Sequence, residues 1–429
     1  MTISFRPIKV ASVDLREPLR PISMVGSEHG DYGSVLCLIR AGAKPLRVIE
    51  FDVKEAVVSV AELRERIGEI NLDEGEKLPL VTKRISIVIA TRDRAESLAR
   101  CLDSLCSQSL AAHEVIVVDN APSSSQTADL VATRCQSDER IRYIREDVPG
   151  LGRAHNTGVS VATGDIILFT DDDVAVDRHW VAAIASNFQD SDVGCVTGLI
   201  LPAELETRAQ IWTELHGGFG KGVERRVFDL GSNRPKGSLF PFTAGQFGSG
   251  ANMAFTMNAL KSIGGFDPAL GAGTLARGGD DLSSFYSVII AGFKLVYEPA
   301  AIVWHYHRRS DEGMRRQAYG YGMGLGAYLT KIIIDNPSTA LRLLRVLPAG
   351  LLHMVGPFAQ KNQRLPDDYP RSLVWQERLG IVAGILGYLK SRTHARRIAL
   401  RTPLPIYDAA GGGGPFKSSS GGRRGGRHG

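Results

Sequence analysis

Asp165-Ile-Ile-Leu-Phe-Thr-Asp-Asp-Asp-Val174 is the stretch on which the reading of this chain turns. Ile166 to Phe169 is a short apolar run and reads as a buried strand. It ends in Thr170 and three consecutive carboxylates, Asp171, Asp172 and Asp173. Adjacent anions repel one another, so stability alone does not account for them. In extended chain, alternate side chains point the same way. Asp171 and Asp173 are then able to face one site, with Asp172 turned back towards the protein. Paired carboxylates suit a hard divalent cation such as Mg²⁺ or Mn²⁺. The competing reading is an acidic, solvated turn with Asp177 capping the next helix.

The surrounding chain alternates strands with helices. Arg84 to Ala90, Glu114 to Asp119, Ile141 to Arg145 and Asp165 to Thr170 read as strands. Glu96 to Gln108 and Gly152 to Ala162 read as helices, and the Ser-rich stretch Ser123 to Ser125 as a helix start. This alternation predicts an α/β fold, a mostly parallel, Rossmann-like sheet with helices on both faces. Ligands of such sheets sit at the carboxyl ends of strands. Thr91-Arg92-Asp93, Asp119-Asn120 and Asp171 to Asp173 all fall at such ends. A dinucleotide fingerprint is missing: no glycine follows the first strand, and Gly150-Leu-Gly-Arg-Ala-His155 has His where the third glycine belongs.

Beyond this core, residues 1–80 read as a small α+β domain, with a helix over Val60 to Ile70 whose apolar residues share one face. Residues 202–245 lack periodicity and scatter Trp212, Phe219, Phe228, Phe240 and Phe242; they read as a ligand-binding insertion, the aromatics either stacking on a ligand's rings or packing as core. The formal charge of +5 conceals an acidic front and a basic rear: residues 306–402 hold 16 Lys+Arg against 6 Asp+Glu. Such a rear suits an anionic partner. Residues 346–360 and 379–389 are apolar, flanked by Arg342, Arg345, Arg378, Lys390 and Arg392, and too short to span a bilayer, which needs about 20 residues. They read as interfacial helices on anionic lipid, or as a subdomain with a solvated basic face. From Ala409 the Gly-, Ser- and Arg-rich tail is expected to be disordered, and no specific nucleic-acid partner is expected. Five cysteines without a CxxC pair indicate neither disulfides nor zinc, so a reducing compartment is expected, and the first thirty residues lack a secretory apolar core.

The segments "SIVIATRDR", "EVIVVDN", "GLGRAHNTGVSVATGDIILFTDDDV", "GANMAF", "GGFDPAL", "GGDDL" and "LVYEPAAIVWHYH", in that order, resemble glycosyltransferase family 2, the inverting nucleotide-sugar transferases of GT-A fold. The likeness runs from about Ile85 to His307, with a C-terminal half most like actinobacterial-type members. It implies a catalytic domain over 83–307, followed by a helical, basic region over 308–408 and the tail 409–429. It also implies a nucleotide-diphosphate sugar as donor, with a base pocket at Thr91 and Asp119, Arg153 and Asn156 near the diphosphate, and Arg92, Asp93, Asp171 and Asp172 among the donor-binding residues. Asp171 and Asp173 match the family's metal-binding DxD, with His305 as a third ligand and His307 a weaker candidate. Asp281 matches the general base and Asp280 its acidic neighbour, where the family more often carries Glu. The activity implied is transfer of the sugar to a hydroxyl acceptor (a glycan, a lipid-linked glycan or a small molecule) at the cytoplasmic membrane face. The competitors are a sugar-phosphate nucleotidyltransferase, whose glycine- and lysine-rich signature is missing after the first strand, and a non-catalytic glycan- or membrane-binding protein.

Overall fold

The structure is a computed structural model that describes residues 5–72, 81–216, 218–236, 239–343 and 369–402. The apolar stretch 346–360 and the tail from 409 fall outside them.

The amino-terminal unit holds β1 (Ile8–Asp14), β2 (Ile22–Ser23), β3 (Ser34–Ala41), β4 (Lys44–Asp52), β5 (Val57–Val58) and α1 (Val60–Ile67). Helix α1 starts where the Ser59 hydroxyl accepts from Glu62 N–H, and stops at Gly68. The order β1-β3-β4 forms one sheet, with β1 parallel and β4 antiparallel to β3. Its helix face makes a small core around Val35, Cys37, Ile39 and Leu63.

The central unit follows as β6 (Ile85–Thr91), α2 (Ala95–Cys106), β7 (Glu114–Asn120), α3 (Gln126–Ser137), β8 (Ile141–Glu146), α4 (Leu151–Val161) and β9 (Ile166–Asp171). Then come β10 (Val174–Val176), α5 (Trp180–Ala185), β11 (Val193–Pro202), α6 (Arg208–Leu215) and β12 (Arg226–Phe228). The unit closes with β13 (Asn252–Thr256), α7 (Met257–Ile263), α8 (Asp280–Ile290) and β14 (Lys294–His305). These strands form one nine-stranded sheet in the order β10-β14-β11-β13-β9-β6-β7-β8, with β12 on β14. Across β9-β6-β7-β8 every pairing is parallel, the α/β pattern expected. Beyond β9 the sheet is mixed, because β13 runs antiparallel to both β9 and β11. Alternation along β6 sends Ile85, Ile87 and Ile89 to the face covered by α2 and α5, and Val88 to the face covered by α4 and α8. Strand β14 runs on through Pro299, absorbing the proline at a bulge opposite β11.

The amino-terminal unit is packed on the central one rather than standing apart. Leu38 belongs to the central core, and Ile8 bridges to Leu205. Arg40 forks onto Asp177, with one Nη2–Oδ1 bond of 3.0 Å, both side chains being buried. Asp177 also accepts from His179 N–H, so its role at the start of α5 is joined to holding the two units together. Burial raises its pKa and Arg40 more than reverses this, for a net lowering. Removing one partner of a buried pair leaves a bare charge. Arg40→Ala is therefore expected to cost about 3–5 kcal/mol in urea unfolding; a loss below about 1 kcal/mol would mean that water screens Asp177.

Two helices complete the described chain, α9 (Asp311–Asp335) and α10 (Ser372–Ala399). Ser310 caps α9 by accepting from Gly313 N–H. Helix α9 runs unbroken through Gly320, Gly322, Gly324 and Gly326. A Cβ on Gly322 or Gly326 would overlap the carbonyls of Glu377 and Ile381 in α10, so helix-to-helix contact outweighs the low helix propensity of glycine.

Candidate active site

Parallel pairing brings the ends of β6, β7 and β9 to one edge, with Ala90 opposite Asp171 and Thr91 opposite Asp119. After Asp171 the chain turns into β10, whose Val174 lies opposite His305 on β14. That register carries His305, far away in sequence, to the acidic triplet. Asp171, Asp173 and His305 offer ligand atoms all within 4.8 Å of one another. His305 Nε2 lies 3.3 Å from Asp173 Oδ1. Asp172 points the other way: Thr91 Oγ1–H donates to Oδ2 at 2.7 Å and Arg94 Nη1–H to Oδ1 at 2.8 Å.

The charge state of this cluster follows its surroundings. Burial, then the neighbouring Asp173, pushes Asp171 up to about 7. Burial also acts upward on Asp173, but its bonds to His305 and Arg94 leave the net shift downward. For His305, burial lowers and the bond and charge of Asp173 raise, and the rise wins. An anion pair crowded enough to hold a proton is short of positive charge. Two carboxylates and an imidazole are a donor set that a divalent cation fits.

Helix α8 supplies the other wall. Gly279 precedes it with φ +84°, and a Cβ there would overlap the Gly324 carbonyl in α9. Glycine is thus required both for the left-handed turn and for the close approach. The turn sets Asp280 and Asp281 at the helix start. Gly250 N–H donates to Asp281 Oδ2 at 3.0 Å, and Leu282 N–H to Oδ1 at 2.8 Å. Burial still raises the Asp281 pKa against these bonds. Asp280, more deeply buried, is pushed up to about 8 by burial, then by Asp281 and, more weakly, by Asp171. His155 Nδ1 lies 3.7 Å from Asp280 Oδ2, and burial drives this imidazole down to about 3, so it is neutral.

Of the residues singled out from sequence, Thr91, Arg92, Asp171, Asp172, Asp173, Asp280, Asp281 and His305 line one cleft of about 610 Å³. Asp93, Asp119, Arg153 and Asn156 do not line it. Asn156 is buried instead: its amide donates to Phe266 O at 2.7 Å and accepts from Phe266 N–H at 2.9 Å. Arg153 is drawn to Glu146, 3.0 Å away, and to Thr402 O, beside a second cavity of about 670 Å³. Asp93, at φ +54°, accepts from Ser123 N–H and ties two loops together. Asp119 accepts from Tyr143 O–H at 3.0 Å, and its Oδ1 is buried without a partner among the described residues. Asp172 lines the cleft but spends both oxygens on Thr91 and Arg94.

The structure adds groups that local patterns do not mark. Arg94 bridges Asp172 and Asp173, and Arg308 lies 3.6 Å from Asp173. Arg277 and Lys221 line the same cleft. Phe219 packs on His305 with ring centroids 5.0 Å apart. The aromatics of 202–245 are thereby sorted: Phe228, Phe240 and Phe242 are core, Trp212 joins Tyr369 in a side cluster, and Phe219 reaches the cleft. His307, on the same side of the strand as His305, contacts it Nδ1 to Nδ1 at 3.0 Å, and its Nε2 meets Glu214 Oε1 at 2.7 Å. The run Tyr319 to Gly326 is a cleft wall, through Gly320, Tyr321 and Gly324.

Residues 86–264 match the family model for glycosyl transferase family 2. The pre-mycofactocin glycosyltransferase of Mycobacterium tuberculosis (strain CDC 1551 / Oshkosh) is 28% identical over 240 residues, 55% of this chain and 46% of that protein. An N-acetylglucosaminyltransferase of Azorhizobium caulinodans is 27% identical over 167 residues, 38% of this chain and 39% of that protein. The chain thus spans less than half the length of these relatives. A mannosyltransferase structure from Pyrobaculum calidifontis, in complex with GDP-Man and Mn²⁺, aligns at a TM-score of 0.46 and 18% identity, covering 76% of this chain and 83% of that one. With its ordered motifs and its α/β sheet, the chain carries a family 2 glycosyltransferase domain over residues 86–264.

Proposed function

We propose that this protein is an inverting glycosyltransferase that moves a sugar from a nucleotide-diphosphate sugar to a hydroxyl acceptor, with Mg²⁺ or Mn²⁺, at the cytoplasmic face of the membrane. The observation that carries the chemistry is the placement, in one cleft, of the Asp171–Asp173–His305 set and a carboxylate, Asp281, held by two N–H groups. A divalent ion held by those three residues would neutralise charge building on the departing diphosphate. Arg92, Arg277 and Arg308 in the same cleft suit the remaining phosphate oxygens. Asp119, with one oxygen left over, suits a base N–H or a ribose hydroxyl.

Asp281 is the general base in this reading. It takes the proton of the acceptor hydroxyl as that oxygen attacks the anomeric carbon, from the side opposite the leaving diphosphate. Inversion follows from that geometry. Asp280, raised further than a free carboxyl, keeps a proton beside it and spares Asp281 a second neighbouring charge. Peptide N–H groups aimed at Asp281 steady the carboxylate without contributing a competing base.

Glu214 and His307 are positioning residues. A carboxylate only accepts, so His307 donates from Nε2 and offers Nδ1 as an acceptor. His305 then donates from Nδ1, and its Nε2 faces Asp173. Such outer partners set the orientation of a ligating imidazole. Glu214→Gln is expected to weaken Mn²⁺ binding about 10–100-fold, read by electron paramagnetic resonance titration without donor. Unchanged binding would remove the role given to this chain of contacts.

The reaction itself is tested by a screen of nucleotide-sugar donors with Mn²⁺ and with Mg²⁺, following released nucleotide diphosphate and the anomeric configuration of the product. Retained configuration, or release of pyrophosphate in its place, would overturn the proposal.

A further inference from the structure

We infer that the outer face of α10 is a docking surface for an anionic lipid bilayer. This locates on one helix the membrane contact in the reading above; it does not depend on the sugar-transfer chemistry.

The inner face of α10 is committed. Leu373, Gly380, Gly384, Gly387, Tyr388 and Ser391 are buried. A Cβ on Gly380 or Gly384 would overlap the Tyr319 and Met323 carbonyls of α9, so the helix has one rotational setting. Tyr388 O–H donates to Asp267 and Ser391 O–H to Ala269 O, which fixes it further. The opposite face is therefore held outward. It carries Trp375, Leu379, Val382, Leu386 and Leu389, spaced 4, 3, 4 and 3 apart, and these side chains are 43% to 68% exposed. Fifteen helical residues make a stripe ~22 Å long. A stripe of large apolar side chains kept in water calls for a covering partner.

Charge decides which partner. Arg371 and Arg378 stand at one end of the stripe, and Lys390, Arg396, Arg397 and Arg401 at the other. The sole acid of α10, Glu377, is turned to His216 at 2.9 Å. Two copies laid stripe to stripe, in either direction, would set cations against cations. Anionic headgroups complement both ends at once, while the stripe enters the acyl boundary. No helix among the described residues is long and apolar enough to cross a membrane, so the contact is one of lying on the surface. Helix α9, which α10 backs, is also a wall of the cleft, so the docked face is one helix away from the site.

The test is flotation of the full chain with vesicles of phosphatidylcholine alone or mixed with phosphatidylglycerol, at low and high salt. Wild type is expected to float with the mixed vesicles at low salt only. The triple variant Leu379→Ser/Val382→Ser/Leu386→Ser, and separately Arg396→Glu/Arg397→Glu, are expected to lose about tenfold in partitioning. Nucleotide diphosphate release from a soluble donor should stay at the wild-type rate in both variants, which checks folding and separates this inference from the catalytic reading. Three results would overturn it: wild type that stays with the soluble fraction, equal flotation of the triple variant, or a wild-type dimer that the triple variant turns into monomer.

Discussion

Replacing Asp281 with Asn is expected to lower kcat by about 10²–10⁴-fold while leaving Mn²⁺ binding and donor affinity close to wild type. The size is that of a lost general base. The substitution keeps the shape of the side chain and one acceptor for the N–H groups of Gly250 and Leu282, but removes the lone pair that receives the acceptor's proton. Because Asp281 stands on α8 and the metal-ligand candidates on β9, on the turn after it and on β14, a defect in proton removal should separate cleanly from a defect in cation binding. Single-turnover product formation, with Mn²⁺ occupancy measured in parallel, checks it. Turnover within about threefold of wild type would fall far short of the loss of a base and would reassign the role to another group. Asp280→Asn should be far milder, because that carboxyl already carries a proton over much of the neutral range, its pKa being pushed up to about 8.

Asp173→Asn is expected to weaken Mn²⁺ binding at least about 100-fold and to remove metal-dependent turnover with it. Asp173 is the member of the set that meets His305, Arg94 and Arg308 at once. Its loss takes away a ligand oxygen and the partner that orients His305. In chelator the same variant should also lose some stability, because the bonds of Asp173 to His305 and Arg94 hold its pKa below the usual carboxylate value in the fold, although its removal relieves Asp171 of a neighbouring charge. The metal readout is therefore the deciding one: Mn²⁺ affinity within about threefold of wild type would remove Asp173 from the ligand set.

Several features of the site were legible in the chain because they are local. Strands β6, β7 and β9 show as apolar runs of the right length, and the polar residues that end them show as breaks in those runs. The acidic triplet stands out since like charges seldom adjoin without a counter-charge to meet. Gly278-Gly-Asp-Asp281 reads as a helix start from its own composition, and the structure adds why the second glycine is needed. Helix α9 is the contrary case. Four glycines at alternate positions argue against a long helix by propensity, yet the helix forms because Gly322 and Gly326 admit α10, and Gly324 admits the loop before α8.

What the sequence determined by itself is the class of fold, the order of its strands and helices, and which residue types gather at the strand ends, all set by periodicity and by charge within a few neighbours. Tertiary structure alone decided which of those residues share a cleft. The β10–β14 register brings His305 to Asp173, a helix in the insertion brings Glu214 to His307, Phe266 holds Asn156 in the interior, and a rotational setting locked by glycines turns the apolar stripe of α10 outward. Each of these depends on a pairing between distant segments, and a chain read residue by residue holds the partners without holding the distance between them.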